Sequence, residues 1–130
     1  MDIVEIIQNS PDAIIGKGTT IKEIELAEQE LDLSFSQEYI SYLEKIGQAL
    51  FEGHELTGIG VADYLDVVKI TKDENTNNPN TIGLYVIEKT NFDLVVIWQD
   101  STGIVYETIG ASIPRPINTS IAEYLNQNWG

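Results

Sequence analysis

Cysteine is absent from this chain of 130 residues. Disulfides, cysteine-ligated metals and cysteine nucleophiles are therefore excluded, which suits a reducing compartment. Histidine occurs once, at His54, and the "HE" there is followed by no second histidine, so the helical zinc motif is missing. One histidine without cysteine leaves too few ligands for a transition-metal site, and no cofactor is expected. Basic side chains are scarce, 7 against 21 acids, for a net charge of -14. A field of that sign repels nucleic acid and anionic membrane and attracts basic partners; equally, it serves solubility alone. The longest strongly apolar run, Leu94 to Trp98, is far too short to cross a bilayer. The opening "MDIVEIIQNSPDAII" has no basic stretch of the kind that begins a signal peptide. A soluble, cytoplasmic protein is the expectation.

The length suits a single domain over 1–130, and the apolar fraction of 42% is globular. A domain of this size buries roughly 70% of its unfolded surface, enough for a core without staples. The acids are unevenly placed: residues 1–66 hold 14 acids and 3 bases, residues 67–130 hold 7 and 4.

Ile3, Ile6 and Ile7 predict a short first helix ending near Gln8. Thr20 stands three residues before Glu23, a capping-box spacing, and opens a helix to about Leu31 with Ile21, Ile24, Ala27 and Leu31 inward. "LSFSQ" is a joint in which Ser34 with Gln37, or Ser36 alone, caps a second helix with Tyr39, Ile40, Leu43 and Ile46 inward. Gly47 stops it in left-handed conformation. A short strand is expected around Leu56 to Ile59, then a helix in "ADYLDVVKIT" with Tyr64, Leu65, Val68 and Thr71 inward, then a polar, mobile turn segment "KDENTNNPNTIG". Three strands follow, Leu84–Glu88, Leu94–Trp98 and Ile104–Thr108; the middle one is apolar throughout and is expected to be covered on both faces. "QDSTG" reads as a hairpin turn and "ASIPRPIN" as extended chain. Ser120 caps a last helix with Ile121, Tyr124, Leu125 and Trp129 inward. Helices at both ends of an antiparallel meander make the fold class α+β.

In that order and spacing, several short motifs resemble the SUKH superfamily of Smi/Knr-type domains. They are Ile24, Ala27, Glu28 and Leu31; Phe35, Tyr39, Tyr42, Leu43 and Gly47; Glu55 and Gly58; Asp66, Val67, Val68 and Thr71; Gly103, Val105 and Tyr106; and Ser120, Ile121, Tyr124 and Leu125. The resemblance covers about residues 20–128. Ser36 stands where the pattern has proline, "KTNFD" where it has a Gly-rich hairpin, and Ile121 where it has an aromatic. The resemblance implies an antiparallel meander packed on an N-terminal helical hairpin and a C-terminal helix. It further implies a non-enzymatic role: many bacterial members are immunity proteins that bind and block the C-terminal domain of a secreted polymorphic toxin, often a nuclease. Others are intracellular scaffolds or regulators, and that is the alternative reading.

Among motifs that could carry chemistry, Glu28 reads as structural, a carboxylate accepting backbone amides near the joint. His54 reads as a surface or loop residue. "GIGVAD" imitates a phosphate loop, but Asp63 would repel phosphate. "DENTN" lacks the glycine and closing glutamate of a calcium loop. Carboxylate pairs for acid–base hydrolysis are supported by abundance alone. The better candidates for a partner-binding surface are Glu52, Glu55, Asp63 and Asp66, with Phe51, Tyr64 and Tyr42 nearby: charge speeds an encounter and buried aromatics hold it. Against this, each aromatic taken singly is a natural core residue.

Overall fold

A computed structural model describes residues 2–90, 92 and 94–127. Local signals set its helices. Helix α1 (Ile3–Gln8) starts where Asp2 accepts the Glu5 amide. Helix α2 (Ile21–Leu31) opens on the expected capping box: the Glu23 amide donates to the Thr20 hydroxyl at 3.2 Å, and the Thr20 amide to Glu23 at 3.4 Å. Only Ile24 and Ala27 of its stripe are buried, whereas Ile21, at the first turn, is half exposed. Helix α3 (Gln37–Lys45) is capped by Ser36, and Tyr39, Tyr42, Leu43 and Ile46 are fully buried. The Glu28 carboxylate accepts the Phe35 amide at 2.8 Å, so it bridges the joint as expected. Gly47 is left-handed, φ +83°, and a Cβ there would lie 1.8 Å from the Lys17 carbonyl oxygen. The loop before α2 crosses the end of α3 through a gap only glycine leaves open.

Two antiparallel sheets follow. The first has the order β1 (Ile14–Ile15), β2 (Ala49–Phe51), β3 (His54–Leu56), with Ile14 opposite Leu50 and Phe51 opposite His54. Strands of two or three residues show no period, so sequence pattern does not reveal β1 and β2. The strand expected to reach Ile59 ends at Leu56, and Gly58 bridges to Asp66 instead. The second sheet is the expected meander, β4 (Tyr85–Lys89), β5 (Val95–Gln99), β6 (Val105–Ile109), with a fourth strand, β7 (Arg115–Asn118), drawn from the proline-rich segment. Pro116 is tolerated because β7 is an edge strand. The Thr57 amide donates to the Ile87 carbonyl at 2.9 Å, so the two sheets abut where β3 meets β4.

Helix α4 (Val67–Asn77) begins later than expected. Residues 63–65 form a short 3-10 turn, and Asp66 caps α4 by accepting the Val68 and Lys69 amides. That start turns Val67, Ile70 and Thr71 inward and leaves Tyr64 outside. The helix also takes in Asp73 to Asn77, a stretch whose composition suggests a mobile loop. The Thr71 hydroxyl accepts the Val86 amide and ties α4 to β4.

The meander is covered on both faces. Tyr85, Ile87 and Ile97 join α1, α3 and the last helix, α5 (Ile121–Leu125), in the main core. Val86, Val96 and Trp98 pack with Ile70 of α4. This is why β5 is apolar without alternation. Glu38 of α3 accepts the Ile121 and Ala122 amides, at 2.7 and 2.9 Å, and thereby holds the start of α5. Trp129, expected inward on the last helix, lies outside the described residues. Among the described residues no helix is long and apolar enough to cross a membrane.

Candidate functional site

The most polar part of the interior lies where β3 meets β4. The β2–β3 hairpin turns at Glu52 and Gly53, both with positive φ, and this two-residue turn folds His54 back beneath it. His54 is 4% exposed, a correction to its reading as a surface residue. Its Nδ1 lies 3.0 Å from Oε1 of Glu88, itself buried on β4. The other oxygen of Glu88 accepts the Glu55 amide at 3.0 Å, and the Tyr124 hydroxyl of α5 donates to Oε1. Burial, reinforced by the adjacent Glu88 carboxylate, pushes the Tyr124 hydroxyl far above its ordinary range, so it stays a donor. The imidazole stacks over Phe51 and meets Tyr124 edge-on. Two elements distant in sequence, β3 and α5, are thus pinned to one carboxylate on β4.

Above this floor opens a cavity of about 250 Å³, with Glu52 and Glu55 on one side and Lys89, Thr90 and Phe92 on the other. A second hollow, about 260 Å³, shares Glu55, Lys89 and Thr90 with it and is lined further by Tyr64 and Leu65. Phe92 lines the first hollow and Tyr64 the second, and each is about two-thirds exposed. Lys89 is held by Glu74, Nζ to Oε2 3.3 Å. Among the described residues, no cation or hydrogen-bond donor pairs with the Glu52 or Glu55 carboxylates.

The structure therefore brings together three of the seven residues singled out by sequence: Glu52, Glu55 and Tyr64. Asp63 is exposed next to Tyr64 but lines neither hollow. Asp66 is committed elsewhere: besides capping α4 it accepts the Gly60 amide, and it lines a separate groove with Glu23 and Glu30 of α2. Tyr42 and Phe51 are corrections. Tyr42 is fully buried and donates to the Thr57 carbonyl at 2.7 Å, and Phe51 is 4% exposed. Both are core residues with no surface for a partner. Sequence reasoning misses His54, Glu88, Lys89 and Phe92. One signal is present for Glu88: a lone carboxylate in the strand "YVIEK", at a position with the burial of its apolar neighbours. Phe92 carries none, since its segment has no period.

Among the described residues no three histidines, cysteines, aspartates or glutamates are grouped as a metal centre would need. The site offers a concave, anionic surface along which Phe92 and Tyr64 are exposed, over a buried, hydrogen-bonded floor. Compared with known proteins, the whole chain, residues 1–130, matches the family model SUKH_5, described as SMI1-KNR4 cell-wall. No curated protein matches it.

Proposed function

The chain belongs to the SUKH_5 (SMI1-KNR4) family, and from that premise we propose that it is a non-enzymatic immunity protein acting in the cytoplasm. It binds a cognate bacterial toxin domain of basic surface, a nuclease being the natural case, and blocks it by occupying its cleft. The observation that carries this reading is the pair of carboxylates, Glu52 and Glu55, that take no partner among the described residues and sit in a hollow lined by exposed Phe92, with exposed Tyr64 lining the adjacent one. An acidic surface accelerates encounter with a basic one, and desolvated aromatics slow its dissociation. The net charge of -14 supplies the long-range part of that attraction.

The test is co-expression with the C-terminal domain encoded immediately upstream. Under this reading the domain alone kills the host, this protein restores growth, and the purified pair associates with a rate that falls steeply between low and high salt. A domain that does not kill, or that kills regardless of this protein, overturns the immunity reading and favours an intracellular scaffold role.

A further inference from the structure

We infer that the hollow beside β4 is the docking surface itself and that it seats a basic side chain of the partner, an arginine, against the ring of Phe92 and the carboxylates of Glu52 and Glu55. The inference rests on the immunity reading for the identity of the partner, but its geometry stands on the molecule alone. A partner's arginine needs a concavity of side-chain size, an uncompensated negative wall and an aromatic face. The cavity of about 250 Å³, which Glu52, Glu55 and Phe92 all line, supplies the first. Glu52 and Glu55 supply the second. Among the described residues the one lysine or arginine lining that cavity, Lys89, is drawn onto Glu74. Phe92, which lines that cavity and is about two-thirds exposed, supplies the third.

The acidic groove between α2 and α4 does not qualify. Glu30 there is paired with Lys72 at 2.8 Å, and Asp66 is occupied by three backbone amides. Charge complementarity therefore favours the hollow beside β4. Its floor is also fixed in advance: Glu88 is held by His54, Tyr124 and the Glu55 amide, so the wall that carries Glu55 does not reorganise on binding.

The experiment is an NMR titration of the full chain with N-acetyl-arginine amide, with N-acetyl-citrulline amide as the uncharged match. Amide shifts concentrated at Gly53, Glu55, Lys89 and Thr90, with arginine and not with citrulline, support the inference. They should fall at least fivefold in the double variant Glu52→Gln/Glu55→Gln and weaken in Phe92→Ala. Shifts spread over α2, equal shifts with citrulline, or no change in the variants overturn it. A toxin domain neutralised equally well by the double variant also overturns it while leaving the immunity reading intact. Conversely, selective arginine shifts without rescue of a toxin preserve the docking surface and remove the toxin as its partner.

Discussion

The groove between α2 and α4 and the hollow beside β4 both collect carboxylates, yet the fold uses them differently. On α2, Glu23 closes a capping box, Glu28 holds the Phe35 amide, and Glu30 meets Lys72. Asp66, across the groove, starts α4. At the hollow, Glu88 is equally committed, but Glu52 and Glu55 take no partner among the described residues. Glu52 even sits at φ +46°, a conformation in which glycine or asparagine is more comfortable. Net acidity, then, does not mark a binding surface. A carboxylate that holds a backbone amide is part of the fold; one that holds nothing, on a concave wall along which rings are exposed, is available to a partner.

Removing Glu88 should produce the largest effect. Glu88→Ala leaves His54, Tyr124 and the Glu55 amide without their shared acceptor and should cost about 3 kcal/mol or more, read as a fall in the urea midpoint. High pH should act next. Burial raises the hydroxyls of Tyr39, Tyr42, Tyr85 and Tyr124 well above their ordinary value. Groups with raised folded values stabilise fully below the unfolded value, about 10, and lose that contribution above it. Stability should therefore fall progressively above about pH 10, seen as a drop in thermal midpoint before these four buried tyrosines show the absorbance change of ionisation. At the acid end the sign reverses. Burial works to raise the Asp100 carboxyl, but hydrogen bonds from Thr102, Tyr106 and the backbone outweigh it and hold it below its usual value. Its contribution is present above about pH 4 and lost as pH falls through the depressed folded value.

The pair Glu28→Ala and Glu52→Gln separates the two regions directly. Losing the Phe35 amide's acceptor should cost about 1 kcal/mol. By contrast, Glu52→Gln and Glu55→Gln should stay within about 0.5 kcal/mol of the parent while slowing association with a basic partner. If they destabilise as much as Glu28→Ala, the distinction between structural and available carboxylates collapses. The smallest expected effect is a gain. Glu52→Asn should stabilise by a few tenths of a kcal/mol, because asparagine tolerates positive φ better; no gain in the denaturation midpoint would mean that the turn carries no strain.

Much of the fold is legible in the amino-acid pattern. The helices α1, α2 and α3, the meander strands and the turn at Gly103 (φ +105°) fall where pattern places them, within one residue or so. The departures share a cause, which is that periodicity says nothing about contacts between distant segments. Tyr64 reads as inward only if its helix starts early, and the Asp66 cap shifts the buried face by a fraction of a turn. Tyr42 and Phe51 read as interface residues because they lie near acids in the chain, while packing decides exposure. His54 reads as a surface residue because a lone histidine in a short polar stretch has no period.

Sequence by itself determined the α+β class, the family and the starts of α1, α2, α3 and α5, because caps and periodicity are interactions between residues three or four apart. Only the tertiary structure decided that His54 is buried, that Asp66 is committed and that Glu52, Glu55, Tyr64 and Phe92 share one surface. The contacts behind that surface, such as His54 to Glu88 and Tyr124 to Glu88, join residues 34 and 36 positions apart. Such pairs leave no periodic trace in the chain and become neighbours only when β3 is laid beside β4 and α5 closes over them.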